Sequence, residues 1–80
     1  PDLDLVRAEA LDAIKDNIAT LLRTGHRVPV IDHTKAVFGD FYGLVNDAVV
    51  KDAVRALVER GQARAELGRL KPRQLVVYPP

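Results

Sequence analysis

The stretch that most narrows what this chain can become runs from Asp47 to Arg60 and closes at Gly61. Val50, Ala53, Val54, Leu57 and Val58 recur at the spacing of one helix face, while Lys51, Asp52, Arg55 and Glu59 fall on the other. Asn46 precedes the run as an N-cap, and Asp47 and Asp52 lie toward the positive end of the helix dipole. Arg60 stands in the last turn and Gly61 supplies a left-handed C-cap. A helix this clearly two-faced must lay its apolar stripe on something, and the rest of the chain is short.

Eighty residues make one small domain with a single modest core. We expect residues 1–78 to form it, with 79–80 as a tail or the start of a linker. The first segment, Asp2 to Thr24, reads as a long helix on which Leu3, Val6, Ala10, Ile14, Ile18, Leu21 and Leu22 keep a helical period. Asp2 or Asp4 caps its start and Gly25 ends it; Arg7 interrupts the stripe and is expected to snorkel. Arg27 to Ile31 reads as a short edge strand, because Pro29 cannot donate to a ladder. Asp32 or Thr34 caps a second helix over residues 34–42, where Val37, Phe38 and Phe41 cluster and Gly39 permits a close helix approach. Gly43 to Asn46 turns the chain into the 47–60 helix. Beyond Gly61, Ala63 to Leu67 alternates as a half-buried strand, Gly68 to Arg73 is a basic loop, and Gln74 to Tyr78 is the return strand.

Charge is divided unevenly. Residues 1–50 hold five basic and eight acidic side chains (−3), and residues 51–80 hold seven and three (+4). Such separation suits one face to an anionic partner. The chain has neither cysteine nor serine, and His26 and His33 stand without further residues at metal-ligand spacing. We therefore expect no cofactor, no metal and no catalysis by this domain alone. No apolar run is long enough to span a bilayer, so we expect no membrane partner and a cytoplasmic setting.

Helix, short strand, helix, turn, helix, strand, basic loop, strand is an order that resembles the winged-helix superfamily of helix-turn-helix domains. The residues carrying it are Phe41-Tyr42-Gly43 through Asn46, and Leu57 to Gly61 leading into the 63–67 strand. The resemblance implies an α+β fold of three helices and a small three-stranded antiparallel sheet. It also implies binding to double-stranded DNA, in a transcriptional regulator or a plasmid, phage or chromosome-handling protein. The 47–60 helix would enter the major groove and present Asn46, Ala48, Lys51, Asp52 and Arg55. Arg64, Arg69, Lys71 and Arg73 would form the wing, with the 68–74 loop on the phosphate backbone and Lys35 as a secondary contact. The chemistry stands independently: lysine and arginine neutralise phosphates, and an arginine fork can pair with guanine. A plainer possibility is a set of solvated surface charges, with Arg55 and Glu59 paired four residues apart.

Two alternatives belong to other classes. One is a protein–protein module anchored on Tyr42 or on Leu70, which stands among cations; the other is an RNA- or ribosome-binding domain. The long first helix also leads us to expect a homodimer contact through residues 2–24.

Overall fold

The computed structural model describes residues 3–80. Asp2, one of the two caps expected for the first helix, lies outside them. Helix α1 (Leu3–Leu22) buries Ala10, Ile14, Ile18 and Leu22, spaced four apart so that they lie along one face. Against that face packs α3 (Ala48–Glu59), through Val50, Ala53, Val54 and Leu57. Between them lie strand β1 (Val28–Pro29) and the short helix α2 (Thr34–Phe38), and β2 (Val76–Val77) closes the chain. All share one core, which includes Val30, Val37, Phe38, Leu75 and Val77, with Phe41 half-buried at its margin.

The ends of α3 follow from sequence chemistry. The Ala48 N–H donates to Asn46 Oδ1 at 3.0 Å, so Asn46 is the side chain that caps the first turn. At the other end the Gly61 N–H reaches the Val58 carbonyl and the Gln62 N–H reaches Leu57, the paired bonds of a Schellman motif. Gly61 takes a φ of +71°, which that motif requires.

The α+β character expected from the sequence is present, but the three-stranded sheet is not. The sheet has two antiparallel strands, with Val28 opposite Val77 and Pro29 opposite Val76. The expected strand over Ala63 to Leu67 contributes a single bridge, Arg64 to Tyr78. Beyond that bridge Lys51 ties the next stretch of chain to α3, donating to the carbonyls of Gly68 (3.0 Å) and Leu70 (2.8 Å). The return strand is shortened as well, because Pro72–Gln74 winds into a 3-10 turn. The first strand ends early for a similar reason: Val30–Asp32 is a 3-10 turn, although the Val30 N–H still bonds the Leu75 carbonyl.

The expected helix over residues 34–42 is also cut short. It is α-helical only to Phe38, then tightens into a 3-10 turn over Gly39–Phe41. His33, not Asp32 or Thr34, occupies its N-cap position, and its ring Nδ1 lies 3.0 Å from the Pro29 carbonyl. Gly39 explains the break. Its backbone sits at φ +55°, ψ −130°, a region open essentially to glycine. Asn17 of α1 donates to the Val37 carbonyl at 3.0 Å, and its amide nitrogen lies 2.8 Å from where a Gly39 side chain would begin. The close approach that the sequence suggested is therefore real, and it is made to a polar side chain. Gly39→Ala is expected to lower stability by about 1–3 kcal/mol through backbone strain and displacement of Asn17. Urea unfolding checks this; parental stability would contradict it.

Candidate nucleic-acid interface

The outward ridge of α3 carries Ala48, Asp52, Arg55 and Glu59, with Lys51 at its edge. Two other parts of the chain flank it. On one side is the N-terminal half of α1, where the Arg7 guanidinium meets Asp52 Oδ2 at 3.2 Å. On the other is the 68–73 loop, held by the two Lys51 bonds and by Arg73 Nε on Asp47 Oδ2 at 2.8 Å. Arg7, which interrupts the apolar stripe of α1, thus carries its guanidinium to the ridge, and it is a candidate site residue that the sequence reading missed. So is Asp47. These pairs join residues 45 and 26 positions apart, a separation no local spacing rule can reveal.

Each sequence-predicted residue has a definite place. Asn46 caps α3, and Ala48 is exposed at its first turn. Lys51 is a strut whose ammonium satisfies two loop carbonyls. Asp52 lies between two guanidinium groups, with Arg55 Nη1 on its Oδ1 at 3.2 Å. Arg55 therefore pairs with the residue three before it, not with Glu59 as its spacing suggested. Arg69 and Lys71 are exposed on the loop beside the Lys51 strut. Arg73 is fixed on Asp47; that hydrogen bond and the Asp47 charge raise its pKa above the ordinary arginine value, with Tyr42 adding a smaller effect in the same direction. Arg73 thus stays protonated at any working pH. Arg64 is elsewhere in the molecule's bonding pattern: it sits on the bridge to Tyr78, donates to the Pro79 carbonyl at 3.0 Å and stacks 5.9 Å from the Tyr78 ring centre. Lys35 is exposed on α2, on a different element from the ridge.

The basic loop is consequently fastened to the helix instead of hanging free as a wing hairpin. Lys51→Met keeps the aliphatic stem and removes the ammonium. It should leave the fold intact and speed amide exchange at Leu70, whose N–H bonds the Leu67 carbonyl, without changing exchange at Val54 in the core. Unchanged protection at Leu70 would mean that the loop holds itself.

The α3 ridge, Asp47 and the 68–73 loop hold Lys51, Arg55, Arg69, Lys71 and Arg73 against Asp47, Asp52 and Glu59, a balance of +2. The flanking N-terminal half of α1 adds Arg7 together with Asp4, Glu9 and Asp12. The salt bridges on this face are solvent-exposed and individually weak, so they order side chains more than they stabilise the fold.

Elsewhere, a shallow groove between α1 and the Gly61–Gln62 turn is lined by Asp16, Ala19, Leu22 and Arg23, and none of the predicted site residues faces it. Among the described residues no group of three or more histidine, cysteine, aspartate or glutamate side chains could hold a metal ion. No described helix is long and apolar enough to cross a membrane. No family model, no curated protein and no solved structure matches the chain.

Proposed function

We propose that this chain is a non-catalytic domain that binds double-stranded DNA, with α3 entering the major groove and the 68–73 loop lying against the phosphate backbone. The observation that carries this is that the exposed Arg69 and Lys71 project from a loop fixed beside the ridge of α3, which itself presents Arg55. A ridge bearing a small residue (Ala48) and an outward arginine suits close approach to base edges. Cations beside it suit the phosphates that border the groove. Service in a transcriptional regulator or a chromosome- or plasmid-handling protein, and a cytoplasmic setting, belong to the same proposal. Equilibrium binding to duplex DNA across a salt series tests it. Two to four phosphate contacts give a slope of about −2 to −4 in log K against log salt. A flat slope, or no binding at low salt, contradicts it.

One observation favours a second reading. Tyr42 and Leu44 are 48% and 68% exposed on the turn between α2 and α3, which suits an apolar protein partner. In that case Leu44→Asp would abolish the interaction and salt would hardly matter. A homodimer contact through α1 is also part of the proposal, because Leu3 continues the buried stripe yet is 76% exposed. Sedimentation that finds only monomer, both free and on DNA, would remove it.

A further inference from the structure

Resting on the DNA reading above, we infer that the partner duplex carries a guanine at the position facing Arg55, and that Asp52 is the positioning residue that makes Arg55 able to read it. The Asp52 carboxylate spends one oxygen on Arg7 and the other on Arg55, each at 3.2 Å. Arg7 comes from α1 and Arg55 from α3, so the carboxylate is held from outside its own helix.

The consequence for Arg55 is geometric. A guanidinium has five N–H donors in a rigid plane, and the bond to Asp52 engages Nη1. The other donors of the fork remain, on a side chain that is 49% exposed on the ridge. Guanine is the base that offers two acceptors, N7 and O6, at the spacing such a fork matches in the major groove. A free arginine loses rotamer entropy on meeting a base; one already braced loses less, and its plane is set in advance. Asp52 itself is an acid beside phosphates, so it weakens attraction to every duplex alike. Holding Arg55 therefore trades general affinity for discrimination. A carboxylate that merely stabilised the fold would not link those two quantities.

The experiment begins with selection by the parent protein from a random duplex pool. The duplex recovered is then compared with two versions, one with adenine in place of the critical guanine and one with 7-deazaguanine, which lacks the N7 acceptor. The parent should prefer the guanine duplex over both by about tenfold to a hundredfold. Asp52→Ala should hold or raise affinity for the adenine duplex while reducing the preference to about threefold or less. Asp52→Asn, which keeps one acceptor oxygen, should retain part of it. Arg55→Lys keeps the charge and loses the fork, so it should reduce the preference for the guanine duplex while holding affinity for the other two. Unchanged preference in Asp52→Ala, or an equal loss on all three duplexes, overturns the positioning role. Recovery of duplexes with no guanine preference overturns the guanine assignment alone. If the parent retains no duplex at all, the DNA reading fails, and this inference fails with it.

Discussion

Phe38→Ala is expected to cost a large part of the molecule's stability. The Phe38 ring is 3% exposed, belongs to the central core cluster and meets Tyr42 edge-on with ring centres 6.0 Å apart. Truncating a buried phenylalanine costs about 3–5 kcal/mol, from lost transfer free energy and the cavity left behind. A domain of this size has a total stability of roughly 4–12 kcal/mol. Phe41, which the sequence groups in the same cluster, carries less weight. It is half-buried, so Phe41→Ala should cost less, about 1–2 kcal/mol. Urea unfolding of the two variants checks the ranking. A larger loss at Phe41 than at Phe38 would place the centre of the core wrongly.

The second large effect is on DNA binding. Arg69 and Lys71 project from the loop, whereas Arg73 and Lys51 are engaged by Asp47 and by loop carbonyls. Replacing both Arg69 and Lys71 with glutamine should weaken binding to every duplex similarly, because phosphate contacts position without reading sequence. The salt slope should shrink by about two, one for each phosphate contact removed. At moderate salt that corresponds to roughly a tenfold to hundredfold loss of affinity. Arg55→Ala should behave differently and lose affinity chiefly on the preferred duplex. Parallel titrations at several salt concentrations distinguish the two patterns. An unchanged slope in the double variant would mean that the loop does not face phosphate.

What the sequence made legible is what repeats locally. The α1 and α3 stripes, the Asn46 cap and the Gly61 stop all follow from periodicity and capping chemistry, and each is present. The chain also showed, through Gly39, that something approaches closely there. What it hid is what depends on distant partners. Alternation over Ala63 to Leu67 looked like a strand because the pattern satisfies the two-residue period. Nothing nearby reveals that Lys51 claims the carbonyls of Gly68 and Leu70 just beyond it. Likewise Arg55 had acids on both sides, at positions 52 and 59, and spacing favoured the one four residues away. The bond forms with Asp52 instead, where Arg7 of α1 also arrives. Nor does any local spacing show that Lys51 and Arg73, both expected at the interface, also tie the loop to α3 and its N-terminal end.

The most direct test is to titrate duplex DNA into the isotope-labelled protein and follow each amide and arginine side-chain signal. Shifts should gather on Ala48, Asp52 and Arg55 of the ridge, on Arg69 and Lys71 of the loop, and on the Arg7 guanidinium beside them. Shifts confined to Tyr42 and Leu44, shifts along the groove at Asp16 and Gln62, or no shifts at low salt would contradict an α3-centred DNA interface.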